Sequence, residues 1–104
     1  MYKPLAPATL HAMLGQNGPP QLVDVRTTAE FGRGAIAGAH HIELAHLPAR
    51  RTELDPKAPL VLYCLSGARS VQACTYLAQQ GFEQLFNLEG GIAAWARAGL
   101  PLAA

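Results

Sequence analysis

The chain has 104 residues, half of them hydrophobic and 14% charged, a balance that buries a core and excludes a disordered or solvating segment. Its formal net charge is +1 and its basic residues form no run longer than Arg50-Arg51, so it lacks the electrostatic footprint of a general nucleic-acid binder. No stretch approaches the about 20 apolar residues of a membrane-spanning helix, and Met1-Tyr2-Lys3-Pro4-Leu5 carries no apolar segment behind a basic start. One domain over residues 1–104, in the cytoplasm, with neither nucleic acid nor membrane as partner, is the expectation.

In chain order, Thr9 to Leu14 has helical apolar spacing and stops at Gly15, and Gln16 to Pro20 reads as a loop. Leu22-Val23-Asp24-Val25 is a short buried strand. Thr27 to Phe31 follows as a short helix, opened by a threonine cap with Glu30 placed to reach back. Gly32 to Gly38 is glycine-punctuated, and His40 to Leu44 is read as a third strand. Leu60-Val61-Leu62-Tyr63 is the clearest strand, an apolar run bounded by Pro59 and a glycine-containing loop. Helical spacing resumes at Ser70 and runs through Val71, Cys74, Leu77 and Ala78 to a stop at Gly81. Gln84 to Leu88 reads as a strand, Gly90-Gly91 as a turn, and Ile92 to Ala98 as a helix ended by Gly99 and Pro101. Strands that alternate with helices imply right-handed crossovers and a mainly parallel sheet with helices on both faces. Chemistry in such sheets gathers at the carboxyl ends of the strands.

The segment Tyr63-Cys64-Leu65-Ser66-Gly67-Ala68-Arg69-Ser70 places a cysteine directly after the buried strand and just before a helix. A compact loop there can turn backbone N–H groups inward, and the helix N-terminus adds unpaired donors and the positive end of its dipole. Both favour thiolate over thiol. Gly67 can take a positive φ and close the loop around the sulfur. Ser70 is expected to cap the helix, and Arg69 adds a permanent cation suited to an oxyanion or to a bracing carboxylate. Cys74 falls on the Val71-Cys74-Ala78 face of the helix and is read as core, with a resolving-thiol role as the alternative. A structural disulfide is not expected in a reducing compartment. With neither a CxxC pair nor a Cys/His cluster, no metal site is expected.

Asp24 and Arg26 lie at the carboxyl end of their strand, on the edge that carries Cys64 if the strands are parallel, and are read as a hydrogen-bonded brace for the loops there. Glu30 is expected to serve its helix start or to pair with an arginine, and Trp95 to anchor the core. His11, His40, His41 and His46 lie in no recognisable motif. Solvated or capped roles are expected of them rather than a Cys-His hydrolase pair.

The loop Cys64-Leu65-Ser66-Gly67-Ala68-Arg69-Ser70 resembles the active-site loop of single-domain rhodaneses, C-x-x-G-x-R-S. Leu22-Val23-Asp24-Val25-Arg26 followed by Glu30-Phe31 is similar to the family's D-V-R-x-x-x-E-[FY] segment, and Gly34 to Ala39 to its G-H-I-x-G-A. Leu88-Glu89-Gly90-Gly91-Ile92-Ala93-Ala94-Trp95 and Gly99-Leu100-Pro101 are similar to the closing L-x-G-G-x-x-x-W and G-x-P elements. The resemblance implies an α/β rhodanese-like fold with a central five-stranded sheet, and a thiosulfate sulfurtransferase in which Cys64 is catalytic and residues Leu65, Ser66, Gly67, Ala68, Arg69 and Ser70 bind substrate. It implies a reaction in two halves without a cofactor: Cys64 takes a sulfur from thiosulfate or a persulfide, then passes it to cyanide or a thiol. The expected partners are thus a small-molecule or protein sulfur donor and a thiol acceptor, the chain itself being a monomer or weak homodimer.

Two departures bear on the donor. Ala35 stands where the family often has histidine, and Leu65 and Ser66 replace cationic residues found in some thiosulfate-using members, leaving Arg69 as the only cation in the loop. A cysteine-dependent phosphatase or arsenate reductase and a rhodanese-like binding module are the competing readings. Phosphate-handling cysteine enzymes usually place five residues between nucleophile and arginine, whereas Leu65 to Ala68 are four.

Overall fold

The computed structural model describes residues 1–103. Its centre is the strand β4 (Leu60–Tyr63), every residue of which is buried. That apolar run can be covered on both faces only if it is flanked by other strands and sandwiched between helices. The sheet order is β1-β5-β4-β2-β3, where β1 is Tyr2–Leu5, β2 Gln21–Asp24, β3 His40–His41 and β5 Leu85–Leu88. All four strand pairings are parallel. The sheet is therefore wholly parallel, as expected of its mainly parallel reading; an isolated antiparallel bridge, Ala35 to Ala103, lies outside it.

Side chains alternate along β4 and so divide the core in two. Leu60, Leu62 and Cys64 face Val23, Val25, Leu85 and the helix α4 (Ala68–Gln79), which contributes Ala73, Cys74 and Leu77. Val61 and Tyr63 face Leu22, Leu88, Leu10 of α1 (Pro7–Leu14) and Ile92 and Trp95 of α5 (Gly91–Arg97). Each fully buried leucine in these layers contributes about 2 kcal/mol relative to exposure. Trp95 is a core anchor as expected, 1% exposed, with its indole N–H donating to the Pro101 carbonyl at 2.8 Å.

Several elements differ from the sequence expectation. β1 was not foreseen: Lys3 and Pro4 disguise it, and proline is tolerated there because the strand is at the sheet edge and pairs on one side only. The strand expected over His40 to Leu44 is only two residues long, because the chain turns into a 3-10 turn (Leu44–His46), the short helix α3 (Leu47–Arg50) and a second 3-10 turn (Arg51–Glu53). α2 (Thr28–Gly32) has the expected threonine cap at Thr27, completed by the reciprocal bond between Glu30 and the Thr27 backbone. No helix among the described residues is long and apolar enough to cross a membrane.

Candidate functional site

Cys64 is the first residue beyond β4, at the carboxyl edge of the sheet, and is 1% exposed. The chain must turn sharply there to enter α4, and Gly67 makes the turn with φ +114°, a conformation that L side chains rarely adopt. The turn aims the Gly67 N–H at Cys64 Sγ, 3.0 Å away.

One expectation fails at the helix start. Ser70 does not cap α4; the helix begins two residues earlier, at Ala68, and Gly67 occupies the capping position with no side-chain bond. Ser70 is instead in the first turn and fully buried, and its hydroxyl lies 3.4 Å from Cys64 Sγ, 3.1 Å from the Gly67 carbonyl and within hydrogen-bond distance of Asn87 Oδ1. An early helix start makes this possible, since it turns the third helical residue toward the sheet rather than toward solvent.

Burial alone would push the Cys64 thiol up. The Ser70 hydroxyl and the backbone amides of Ser70, Gly67 and Ser66 outweigh it, so the thiol is held below its ordinary range. Cys74 shows the same residue type without such donors. It is buried on the sheet-facing side of α4, and desolvation pushes it up to about 12. Both cysteines are free.

The rest of the loop divides by exposure. Leu65, Ser66 and Ala68 are exposed, with Leu65 47% so, whereas Gly67 is buried. Arg69 reaches back to α2, where its two terminal nitrogens donate to Glu30 Oε1 and Oε2 at 2.7 and 2.9 Å. Arg69 first, with the Thr27 backbone and hydroxyl, holds the Glu30 carboxyl down to about 2. Glu30 thus serves both roles open to it, closing its own helix cap and pairing with an arginine.

From behind, α5 holds the loop. The Ile92 and Ala93 N–H groups donate to the carbonyls of Cys64 and Leu65 at 2.9 and 3.0 Å. Gly91 permits this approach, for a Cβ there would fall 2.6 Å from the Cys64 carbonyl oxygen.

Asp24 and Arg26 form a buried pair beside the loop, 0% and 5% exposed. Arg26 Nη2 donates to Asp24 Oδ2 at 2.7 Å and to the Gly34 carbonyl at 2.8 Å, and the Arg26 N–H donates to Asp24 Oδ1 at 2.9 Å. These bonds tie the end of β2 to the stretch before β3. Tyr63 extends it, its hydroxyl accepting from the Ile36 N–H at 3.1 Å while the Arg26 guanidinium carbon lies 5.8 Å from its ring centroid.

The histidines have other partners. His41 stacks on Phe31 and bonds the Arg26 carbonyl, His40 meets Glu53, His46 lies 3.8 Å from Glu43, and His11 packs edge-on against Trp95. A cavity of about 330 Å³ between α1, Ile36, Trp95 and Pro101 to Ala103 contains none of the loop residues.

Sequence reasoning did not single out Asn87. It stands in an apolar strand, and only the register Leu62 to Asn87 turns it to the Cys64 face. Asp24, Arg26, Ser70 and Asn87 are the buried polar side chains among the described residues, and they form two bonded pairs on either side of Cys64.

Comparison with known proteins agrees with this geometry. Residues 6–98 match the family described as Rhodanese-like domain. The chain is 51% identical over 83 residues to a protein named Sulfurtransferase from Allochromatium vinosum, covering 80% of this chain and 78% of that one. It is 34% identical over 94 residues to Thiosulfate sulfurtransferase GlpE of Stutzerimonas stutzeri, covering 90% and 84%. Among solved structures, a rhodanese-related protein from Thermoplasma volcanium superposes with a TM-score of 0.89 at 27% identity, over 98% of both chains. A rhodanese-like domain protein from Staphylococcus aureus does so with 0.87 at 30% identity, over 98% and 99%. The parallel five-stranded sheet, the cysteine loop at its carboxyl edge and a family match over most of the chain place this protein in the rhodanese-like family.

Proposed function

We propose that this chain is a sulfurtransferase in which Cys64 carries the transferred sulfur as a persulfide. The names of its relatives support sulfurtransferase activity in general. The observation that carries the finer reading is the donor set on Cys64 Sγ: the Gly67 amide at 3.0 Å and the Ser70 hydroxyl at 3.4 Å, with no histidine bonded to it among the described residues. Fixed donors that lower the thiol's pKa favour its anion, the form that attacks sulfur.

In the first half-reaction the Cys64 thiolate attacks the outer sulfur of the donor. A sulfur–sulfur bond forms, the donor's sulfur–sulfur bond breaks, and its electron pair leaves with sulfite from thiosulfate or with a thiolate from a persulfide. In the second, an acceptor thiolate or cyanide attacks the outer sulfur of the Cys64 persulfide, and the Cys64 thiolate leaves. No net oxidation or reduction is required of the protein. The same donors stabilise sulfur-centred negative charge before and after loading. Leu65, Ser66 and Ala68 form the exposed rim that meets the substrate, and Arg69 shapes that rim while paired with Glu30. With Arg69 so paired, thiosulfate meets little unpaired positive charge in the loop, which favours a persulfide donor.

The test is incubation with thiosulfate, and separately with a low-molecular-weight persulfide, followed by intact-protein mass measurement. The expected result is a gain of one sulfur on Cys64 that cyanide removes as thiocyanate. Failure to load from either donor would overturn the reading, and Cys64-dependent hydrolysis of p-nitrophenyl phosphate would put a phosphatase in its place.

A further inference from the structure

We infer that Asn87 is a positioning residue for Cys64, acting through Ser70: its side-chain amide controls whether the single Ser70 hydroxyl proton is given to the sulfur. This inference rests on the reading of Cys64 as the sulfur carrier, but its test does not require sulfur transfer.

The argument begins with a count of protons. A serine hydroxyl has one proton to donate. Around the Ser70 hydroxyl stand three acceptors: Asn87 Oδ1, the Gly67 carbonyl at 3.1 Å and Cys64 Sγ at 3.4 Å. They cannot all be served at once. A neutral thiol is a weak acceptor, so against it the proton goes to oxygen; a thiolate is a strong one and draws the proton across.

When the proton goes to sulfur, the Ser70 oxygen turns its lone pairs toward Asn87. An amide is suited to that change, because rotation of its plane replaces the carbonyl oxygen with an N–H donor. The chain is then Asn87 Nδ2–H to Ser70 Oγ–H to Cys64 Sγ, each bond polarising the next. A leucine or valine at 87 could neither hold the hydroxyl nor donate to it.

Placement strengthens the case. Asn87 is 7% exposed, in a strand whose neighbours Leu85 and Leu88 are core residues, and its register with Leu62 sets it on the face of Cys64. A polar side chain there has a desolvation cost that only its bonds offset. Of the charged groups at that edge, Arg69 of α4 pairs with Glu30 of α2 and Asp24 of β2 with Arg26, while Glu89, just beyond β5, is exposed. Cys74, on the buried face of α4, is pushed toward the neutral thiol by desolvation. The Ser70–Asn87 pair is therefore the uncharged lever on the sulfur.

The experiment is the pH dependence of Cys64 alkylation by iodoacetamide in the wild type, Asn87→Leu, Ser70→Ala and the double variant. Tryptic cleavage after Arg69 puts Cys64 and Cys74 on separate peptides, so each is read alone. Asn87→Leu is expected to move the Cys64 profile to higher pH and slow alkylation at neutral pH by about three- to tenfold, the scale of one hydrogen bond. Ser70→Ala should do at least as much, and the double variant should be no worse than Ser70→Ala alone. A profile for Asn87→Leu that overlies the wild type, or an equal further shift in the Ser70→Ala background, would overturn the proposal. If Asn87→Leu does not melt cooperatively, Asn87→Val is measured in the same cycle, since a β-branched residue suits the strand. Thiosulfate and persulfide loading of the wild type are measured in parallel: failure to load overturns the sulfur-transfer reading, while the alkylation cycle still decides the role of Asn87.

Discussion

Arg69 grips Glu30 with both terminal guanidinium nitrogens, at 2.7 and 2.9 Å, although 39 residues separate them in sequence. The pair joins the start of α4 to α2 and so fixes the outer side of the cysteine loop. Lysine would offer a single ammonium in place of this fork. Arg69→Lys and Glu30→Gln should therefore each lower kcat by about three- to tenfold. The loss should be equal with thiosulfate, a dianion, and with a low-molecular-weight persulfide donor. A selective loss with thiosulfate would assign Arg69 to donor binding instead.

The same pair sets a pH dependence of stability. The Glu30 carboxyl is held at about 2 in the folded chain, below its ordinary value of 4.5. A depressed folded value means that the stabilisation is fully present above the unfolded value and is lost as pH falls toward about 2. Glu30→Gln should flatten the loss of stability across that acid window and leave the slope above it unchanged. Urea unfolding midpoints measured across that window check this.

Cys64→Ser should abolish persulfide formation without disturbing the fold, because the hydroxyl is nearly isosteric but cannot carry a stable persulfide. Cys74→Ala should keep turnover and cost about 1 kcal/mol of stability, since it removes one buried sulfur from the α4 face. Mass measurement after thiosulfate treatment and thermal melting check the two halves. Loss of turnover in a folded Cys74→Ala protein would reveal a second redox thiol.

Arg26→Leu should destabilise the protein by about 3 kcal/mol or more, because it leaves Asp24 buried and unpaired. It also removes the bond to the Gly34 carbonyl, so the stretch before β3 should become more protease-sensitive. Urea unfolding and limited proteolysis measure these effects.

Much of this was legible in the sequence because its signals are local. The apolar run Leu60 to Tyr63, the glycine at 67 and the helical spacing after it place Cys64 at a strand end without any tertiary information. Thr27 and Glu30 announce a capping box by their three-residue spacing. Less was legible where partners are distant or the pattern is broken. Lys3 and Pro4 hide an edge strand that only pairing with β5 makes plain. Ser70 looks like a cap from its position near the helix start, but the backbone turn at Gly67 moves that start to Ala68 and aims the hydroxyl at sulfur. Asn87 gives no local signal, since its meaning comes from the register of β5 against β4.

The N–H groups of Ile92 and Ala93 are bonded to the carbonyls of Cys64 and Leu65, and Trp95 of the same helix is sealed in the core. The cysteine loop is thereby tied to a helix anchored in the core. The bonded Ile92 and Ala93 amides should exchange with solvent on the timescale of global opening, so that heat inactivation tracks the melting of the whole fold. On the reading proposed for Cys64, the donors around the sulfur are set in place before any substrate arrives.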